Sequence, residues 1–438
     1  MDAKQDYDVL IVGGGPTGST AALALARKGW RVAILEKATF PRFQIGESFL
    51  PAGLDVIQKL GLEERVRQMP HVDKYGVEFA FGDGRDCPYF DFGLVMTDRS
   101  KQAFNAARAD YDQMLIDAAK EAGATVHQPV TVREIEQLAD DAVRLGTDKG
   151  TFTGRYVLDA SGQATLLGKH LNIRTPLPDD HLQNVAYFGH FENVVRQAGK
   201  RQGDPTIVMC DEGWFWIIPL NEQHTSVGVV LRPHIQKQVG VPADQMLQWA
   251  IARSPLMRER MANAVGPDRN KVRGDFSYRC DPSAGPGYFL IGDAAMFLDP
   301  VFSTGVCVGM RSALCVSEHL DRVLAGKLAP AKARRQCMTG HRKSMKLLVR
   351  SIQHYYRHSF REFLMQGQGP LKMHCAFITV VAGYVVPRTP PGVWWRYRLF
   401  ELCMLIQDRL PLAPRHARFS LLAQPAEAPE PTREPAAV

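Results

Sequence analysis

The first third of the chain alternates short apolar runs with helical patterns. Apolar strands are predicted at Asp8–Val12 and Trp30–Leu35, and an alanine-rich helix at Ser19–Lys28 lies between them. This order and spacing are those of a βαβ unit, in which two parallel strands flank a crossover helix. Two further helices and two further strands follow, at Leu54–Leu60, Ala109–Gly123, Thr125–Gln128 and Arg155–Leu158.

A second pattern starts near residue 184, where strand-like runs follow one another without helices between them. The runs are Asn184–Phe191, Thr206–Cys210, Trp214–Pro219 and Thr225–Leu231. Such a series predicts an antiparallel sheet, which we interpret as a separate domain on the substrate side. Gly76–Phe81 and Cys87–Phe92 flank a turn at residues 82–85 and are typical of a hairpin. Tyr288–Ile291 returns to the buried-strand type, and the chain from Val306 onward is mostly helical.

A glycine-rich turn with the pattern GxGxxG lies between the first strand and the first helix. Gly13 allows the tight turn, Gly15 lets a pyrophosphate approach the backbone, and Gly18 lets helix and strand pack closely. The N-terminus of the helix then stabilises the phosphate charge. Glu36 ends the second strand, where an acceptor for a ribose hydroxyl belongs. Together these positions predict a dinucleotide-binding domain.

These patterns divide the chain into four parts. We predict an α/β fold in which a Rossmann-like, three-layer nucleotide-binding domain is interrupted by an α+β substrate part. The parts are 1–72 with 106–175 and 276–330 (nucleotide-binding), 73–105 with 176–275 (substrate-side sheet), 331–418 (C-terminal helices) and 419–438 (disordered tail). The tail is predicted because Gln424–Val438 is rich in Pro, Ala and Glu.

Composition narrows the class of protein further. The 438 residues are enough for two or three packed units, and 45% hydrophobic with 23% charged residues is ordinary for a soluble globular protein. The 8 cysteines include no CxxC pair, so neither a metal site nor a disulfide framework is indicated, and a reducing, cytoplasmic compartment fits. The polar N-terminus shows no signal peptide, and the longest apolar run, near Ala376–Val386, is too short to span a bilayer.

The net charge of +7 is concentrated in two segments toward the C-terminus. Their basic residues are Lys332, Arg334, Arg335, Arg342, Lys343, Lys346, Arg350, Arg357 and Arg361, then Arg388, Arg396, Arg398, Arg409, Arg415 and Arg418. A solvated helix face is the simpler interpretation. The alternative is docking of an acidic partner, such as an acyl carrier protein, a phospholipid surface or a CoA thioester. Nucleic acid is not indicated, because no recognition motif accompanies the charge.

Four further strings resemble motifs of the FAD-dependent aromatic-hydroxylase superfamily. Gly292-Asp293-Ala294-Ala295 is similar to its second flavin motif, and Asp159-Ala160-Ser161-Gly162 to its strand-end motif. Arg108 matches its flavin-facing arginine, and Gly46-Glu47-Ser48 looks like the IGES string of halogenases and geranylgeranyl reductases. The resemblance implies FAD as the cofactor. The residues that it assigns to FAD are Gly13, Gly15, Pro16, Gly18, Glu36, Lys37, Arg42, Ser48, Arg108, Asp159, Gly162, Asp293 and Val306.

Two more strings narrow the resemblance. Residues 214–219 read WFWIIP, a WxWxIP pattern, and residues 297–305 read FLDPVFSTG, an FxxPxxSxG pattern. With the flavin motifs, they make residues 6–365 resemble the flavin-dependent halogenases. Members of that family use reduced FAD, dioxygen and chloride or bromide to halogenate electron-rich aromatic substrates.

The resemblance implies a halide site at the turn Ser303-Thr304-Gly305, with the ion at the amides of Thr304 and Gly305. Backbone amides there, together with the N-terminus of the following helix, would bind a desolvated anion, and Gly305 permits close approach. A loop that contacts only the flavin, as in the hydroxylases, is the other interpretation. The resemblance also implies a tunnel or flavin wall made of Trp214, Trp216, Pro219, Phe297 and Pro300. Two core tryptophans on one strand face would equally explain the WxWxIP pattern.

Lys74 is the predicted catalytic residue. It lies downstream of Gly46-Glu47-Ser48 and before a strand, where the resemblance implies a lysine that captures hypohalous acid. Its amine either forms a haloamine or donates a hydrogen bond that aims the oxidant, and it must be partly desolvated to do so. The sequence assigns no assisting glutamate.

The sequence therefore predicts an FADH2-dependent halogenase of a phenolic, pyrrolic or aryl-polyene-like group, free or bound to an acyl carrier protein. The absence of a second glycine-rich nicotinamide motif suits a two-component enzyme that receives reduced flavin from a separate reductase. The alternative is a flavin monooxygenase or a geranylgeranyl-reductase-like double-bond reductase, in which Lys74 would be silent. A flavin-binding docking protein without catalysis is a third hypothesis.

Overall fold

The computed structural model of the chain describes residues 6–85, 88–179, 182–267, 269–274, 277–367, 369–385 and 388–423. Residues 424–438 of the tail predicted at 419–438, and Cys87 of the predicted hairpin, lie outside these ranges. The strands are β1 (Tyr7–Val12), β2 (Val32–Leu35), β3 (Val72–Lys74), β4 (Gly76–Phe81), β5 (Phe90–Asp91), β6 (Ala103–Asn105), β7 (Thr125–His127), β8 (Val132–Ala139), β9 (Ala142–Thr147), β10 (Gly150–Asp159), β11 (Arg174–Pro176), β12 (Val185–Glu192), β13 (Thr206–Cys210), β14 (Gly213–Pro219), β15 (His224–Leu231), β16 (Lys271–Arg273), β17 (Tyr278–Cys280), β18 (Ala284–Gly285), β19 (Tyr288–Leu290) and β20 (Met296–Phe297). The α-helices are α1 (Pro16–Ala26), α2 (Pro51–Lys59), α3 (Glu63–Gln68), α4 (Arg108–Glu121), α5 (Leu166–His170), α6 (Pro233–Val239), α7 (Met246–Ile251), α8 (Pro255–Arg260), α9 (Gly305–Leu324), α10 (Pro330–Tyr355), α11 (His358–Leu364), α12 (Met373–Val381) and α13 (Pro391–Gln407).

The first sheet has the strand order β18-β19-β10-β1-β2-β7, and β19, β10, β1, β2 and β7 run parallel. Its central strand β1 is apolar on both faces because both faces are covered. Val9 and Ile11 pack with residues of α1, α4 and α9, whereas Leu10 packs with Val143 and Leu145 of the β8–β9 hairpin. The resulting three layers confirm the predicted α/β fold of the Rossmann-like type.

The second sheet has the strand order β16-β12-β15-β14-β13-β4-β5. Its strands from residue 185 onward are antiparallel, as predicted, but β4 joins β13 in parallel. The prediction missed this pairing because β4 comes from a segment more than a hundred residues earlier in the chain. The predicted hairpin is present as β4–β5, although β5 is only Phe90–Asp91 and is preceded by Pro88, which cannot donate to a ladder.

The helices after residue 305 pack against both units. Helix α9 packs on α1 and α2, and α10, α11, α12 and α13 share a core with the second sheet. Within the described part of the chain, no helix is both long and apolar enough to cross a membrane.

The last described residues do not behave as the predicted tail. We predicted disorder from 419, yet Phe419 and Leu421 are buried. The ring of Phe419 packs on Gly82, and the carboxylate of Glu212 accepts a hydrogen bond from the amide of Leu421 at 2.9 Å. Residues 419–423 are therefore docked on the second sheet, because two apolar side chains and one buried carboxylate hold them there.

The predicted domain boundaries stay predictions. The first sheet takes its strands from residues 7–35, 125–159 and 284–290, and the second from residues 76–91 and 185–273.

Candidate active site

A cavity of about 800 Å³ is lined by residues of both sheets and by the start of α9. Most of the predicted site residues line it, namely Gly13, Gly15, Pro16, Glu36, Lys37, Arg42, Ser48, Arg108, Gly162, Trp214, Trp216, Asp293, Phe297, Pro300, Ser303, Thr304, Gly305 and Val306. Four predicted residues do not line it: Gly18, Lys74, Asp159 and Pro219.

The glycine-rich turn has the geometry that close approach requires. Gly13 has a φ of +102°, and a Cβ there would lie 2.5 Å from the carbonyl oxygen of Ala160. A Cβ on Gly18 would lie 1.9 Å from the carbonyl oxygen of Gly13, so Gly18 serves packing and not ligand contact. Helix α1 begins at Pro16 without a side-chain cap, which leaves its first amides open toward the cavity. An anion is the natural partner of such a helix end.

The polar groups around this turn fit a dinucleotide. Glu36 is buried, and its carboxylate accepts hydrogen bonds from the amides of Gly14 at 2.7 Å and Ala38 at 2.8 Å. These bonds fix the carboxylate and leave it free acceptor capacity for a ribose hydroxyl. Arg42 has a buried Nη1 that makes no hydrogen bond with the described residues, although it lies 3.4 Å from Asp112 Oδ2. The Glu36 carboxylate therefore fits the ribose of the adenosine part of FAD, and the Arg42 guanidinium fits the pyrophosphate.

Arg108 is held rigidly beside the cavity. Its Nε and Nη2 donate to both carboxylate oxygens of Asp112 at 2.7 and 2.9 Å, and its Nη1 donates to the carbonyl of Ile45 at 2.8 Å. Gly46 has a φ of +101°, and a Cβ there would lie 3.1 Å from Arg108 Nη1. The guanidinium thus fixes the loop that precedes Ser48.

Asp159 differs from its predicted role. Its side chain is fully buried, and its carboxylate accepts hydrogen bonds from the amides of Ser161 at 3.0 Å and Leu167 at 2.8 Å. The bonds tie the end of β10 to the turn that follows it and to α5, so the structure gives Asp159 a supporting position behind the cavity wall. Gly162, three residues later, does line the cavity.

Asp293 connects the flavin motif to the predicted halide turn. It lies in a short 3-10 helix, Gly292–Ala294, directly after β19 and lines the cavity. Burial raises the pKa of Asp293 to about 6, while the charge of Arg108 acts in the opposite direction. A Cβ on Gly305 would lie 3.6 Å from Asp293 Oδ1. The two motifs, which follow each other in the sequence, therefore also meet at one point of the cavity.

The turn before α9 presents two open amides. Pro300–Phe302 forms a 3-10 turn, and Ser303 takes a left-handed conformation with a φ of +54°. The amide of Ser303 donates to the carbonyl of Pro300 at 2.8 Å, so it is not available to an ion as predicted. The amides of Thr304 and Gly305 donate to no acceptor among the described residues. Both residues line the cavity and lie at the N-terminus of α9, a helix of 20 residues. The positive end of the helix dipole and two open amides are suited to binding a small anion.

The two tryptophans of the WxWxIP string form one side of the cavity. Trp214 and Trp216 lie on the same face of β14, with ring centroids 5.8 Å apart, and both are buried. The indole of Trp216 donates to Ser226 Oγ at 3.1 Å. Pro219 ends the strand opposite Thr225 and lies away from the cavity.

A buried network that the sequence did not predict holds Trp214. Its indole Nε1 donates to the hydroxyl of Tyr356 at 3.1 Å, and this hydroxyl donates to Asp299 Oδ2 at 2.6 Å. Asn184 Nδ2 also donates to Asp299 Oδ2, at 3.0 Å. Burial raises the pKa of Asp299 to about 6, and the hydrogen bonds oppose that rise. Because Asp299 lies inside the FxxPxxSxG string, the network joins the tryptophan wall to the turn before α9.

Lys74 is more deeply buried than predicted. Its Nζ donates to Ser48 Oγ at 3.0 Å and to the carbonyl of Phe49 at 3.1 Å, with a side chain only 1% exposed. Burial lowers the pKa of Lys74 to about 7 from its usual 10.5, and the charge of Asp204 acts in the opposite direction. Ser48 lines the cavity and Lys74 does not, so one hydrogen bond separates the amine from the cavity.

Glu47 is a carboxylate that the sequence did not assign. It is buried in the cavity wall next to Ser48, and its Oε1 lies 2.7 Å from Nε2 of His190 on β12. The contact links the 42–48 loop to the second sheet across the cavity.

Fold and site together define a flavoprotein. Residues 6–335 match a protein family described as an FAD binding domain. The tryptophan 2-halogenase of Chondromyces crocatus is 32% identical over 364 residues, which cover 80% of this chain and 69% of that protein. The 1H-pyrrole-2-carbonyl-(peptidyl-carrier protein) chlorinase of Pseudomonas fluorescens is 31% identical over 345 residues, which cover 72% and 76%. Among solved structures, the flavin-dependent brominase Bmp2 is similar with a TM-score of 0.78 and 28% identity, covering 90% of this chain and 98% of that one.

The chain belongs to the flavin-dependent halogenases and is an FAD-dependent enzyme of that family. This confirms the resemblance that the sequence motifs indicated. The alternative of a monooxygenase or double-bond reductase is not favoured by these relatives.

Proposed function

We propose that the enzyme halogenates an electron-rich aromatic ring of the phenolic, pyrrolic or aryl-polyene type, with reduced FAD supplied by a separate flavin reductase. Two relatives are named for tryptophan and for a pyrrole held by a carrier protein, which supports a ring that is either free or carrier-bound. When bound, reduced FAD would supply two electrons and the halide two more to dioxygen, of which one oxygen atom leaves as water and the other enters hypohalous acid. The free thiols of the described cysteines support a reducing, cytoplasmic setting.

The observation that carries the proposal is the pair of open amides on Thr304 and Gly305, in the same cavity as the nucleotide turn. A chloride or bromide held there would exchange water for two amide donors and the positive end of α9. Trp214 and Trp216 would exclude water and keep the aromatic substrate away from the flavin. We propose that the chain thereby holds a desolvated halide where it is oxidised.

Lys74 is the proposed acceptor of the halogen. Its neutral amine attacks the halogen of hypohalous acid, an N–H proton combines with the departing hydroxide, and water leaves. The aromatic ring then takes the halogen from nitrogen and loses a proton, which restores the amine. Because Ser48 lies between the amine and the cavity, we propose that rotation of its hydroxyl admits the oxidant. The pKa of Lys74, lowered by burial to about 7, favours the neutral amine that this step needs.

The basic helix faces are a weaker guide to a partner. Arg334 pairs with Asp140 at 2.6 Å, and Arg350 pairs with Glu401 at 2.8 Å. These pairs support the solvated helix face for both arginines. The charge pattern therefore does not identify a carrier protein as the partner, and carrier-bound substrates are compared with free ones in the experiment below.

The experiment combines the enzyme with a flavin reductase, FAD, NADH and either chloride or bromide. Free phenols, free pyrroles and the same groups loaded on carrier proteins serve as substrates, and the isotope pattern of the product is read by mass spectrometry. Halogenated product from the wild type and from Lys59→Met, but not from Lys74→Met, is the expected result. Oxygenated or reduced products that form equally well without halide would overturn the proposal.

A further inference from the structure

Three side chains of α9 and α10 meet away from the cavity. Cys315 and His319 are four residues apart on α9 and therefore share a face of the helix, and Cys337 lies on α10. Their candidate ligand atoms all lie within 4.8 Å of one another. Cys315 is ten positions along α9 from Gly305, which is about 15 Å along the helix axis. The cluster is therefore separate from the halide turn.

The cluster brings two free thiols and one ring nitrogen to the same place. Cys315 Sγ lies 4.0 Å from His319 Nδ1, and Nδ1 lies 2.8 Å from the carbonyl oxygen of Cys315. Either ring nitrogen of a neutral imidazole binds metal ions, so His319 supplies one candidate ligand atom to the cluster. A disulfide between the cysteines would leave the imidazole without a role. Cys315 is exposed and Cys337 is buried, so an ion has a route from solvent to a partly enclosed site.

We propose that Cys315, His319 and Cys337 bind a zinc ion, with a fourth position open to water. Two thiolates and one imidazole are a ligand set that zinc takes in tetrahedral sites. Binding would release the thiol protons and add a cross-link between two consecutive helices joined by residues 325–329. Helix α9 begins at the halide turn and α10 ends beside Tyr356, so the ion would join the two helices that frame the cavity.

The test uses cobalt(II) as the probe, with the full-length enzyme, bound FAD and a phosphine reductant in the absence of air. One equivalent of cobalt should give thiolate-to-metal charge-transfer absorption and the visible bands of tetrahedral cobalt. Zinc should then displace the cobalt and remove both signals. The Cys315→Ser variant should lose the charge-transfer signal, and His319→Gln should weaken cobalt binding at least tenfold. Cys403→Ser changes a thiol on α13 and should bind like the wild type.

Two results would overturn the proposal. One is a reduced enzyme that shows no charge-transfer absorption with cobalt, or an absorption that Cys315→Ser leaves unchanged. The other is a Cys315–Cys337 disulfide found by peptide mass mapping in enzyme that, once reduced, still fails to bind cobalt. Halogenating activity is not needed for either measurement, so a failure here leaves the proposed function unaffected.

Discussion

Replacing Lys74 by methionine should stabilise the folded enzyme near neutral pH while it abolishes halogenation. The side chain is buried, and burial lowers the pKa of its amine to about 7 from 10.5. Between these two values the unfolded chain binds more protons than the folded chain. The unfolding free energy of the wild type therefore rises with pH across this window, because the cost of deprotonating a buried lysine disappears.

The magnitude follows from the two pKa values. The charge-related cost of keeping Lys74 buried is about 4 kcal/mol at pH 7 and about 2 kcal/mol at pH 9. Methionine has a similar length and no charge, so it removes this cost at both pH values. It also removes hydrogen bonds to Ser48 and to the carbonyl of Phe49, at roughly 1 kcal/mol each. We expect the variant to gain about 2 kcal/mol at pH 7 and almost nothing at pH 9.

The assay is guanidinium unfolding with saturating FAD at pH 7 and pH 9. The matched control is Lys59→Met, an exposed lysine on α2 whose replacement should shift the unfolding midpoint equally at both pH values. The Lys74 variant should bind FAD and release hypohalous acid to a trapping reagent, without halogenated product. In the wild type, the fraction of hypohalous acid that ends in halogenated product, and not in the trapping reagent, should rise between pH 6 and pH 8. An equal stability gain at pH 7 and pH 9, or a halogenated fraction that falls through this range, would refute the reasoning.

Three further changes test the cavity. Gly305→Ala should fold normally, because a Cβ there meets its nearest heavy atom only at 3.6 Å. It should raise the KM for bromide about tenfold by crowding the open amides. An unchanged bromide titration would contradict the halide site. Tyr356→Phe removes one hydrogen-bond donor from the buried Asp299, so it should lower the unfolding free energy by about 2 kcal/mol. It should also reduce the amount of halogenated product formed per reduced FAD consumed. An equal ratio in variant and wild type would mean that the Asp299–Tyr356 network does not position Trp214. Gly18→Ala would bring a Cβ to 1.9 Å from the carbonyl of the first glycine of the turn and should abolish FAD retention on gel filtration, whereas Gly340→Ala, with no heavy atom within 4 Å, should retain it.

The parts of the fold that the sequence predicts are those encoded by neighbouring residues. The βαβ unit was predictable because the GxGxxG turn, the alanine-rich helix and both strands lie within 36 residues. The turn before α9 was predictable for the same reason, although the use of the Ser303 amide by Pro300 required the backbone geometry. Pairing between distant segments was not predictable: β4 and β13 lie far apart in the chain, and each offers an apolar strand that could pair on either side.

The site shows the same limit. The burial of Lys74 depends on β3 pairing with β6 and on a bridge between Ser48 and Asn105, which no local pattern shows. Tyr356 reaches Asp299 from the end of α10, and a tyrosine near a helix end carries no signal of such a contact. A different signal was available for Cys315 and His319, since their spacing puts both on one helix face, but the partner Cys337 emerges only when α9 and α10 pack.

The strand order of the first sheet has a consequence for how the chain is made. Strand β19 completes the sheet beside β10, yet it follows β10 by more than a hundred residues. During synthesis, the growing chain therefore carries an open edge on β10 until residue 290 has left the ribosome. We expect the strands of the second sheet, all of which are complete by residue 273, to pair before the first sheet is complete. Capture of the flavin would then be a late step, coupled to the arrival of the loop that carries Asp293.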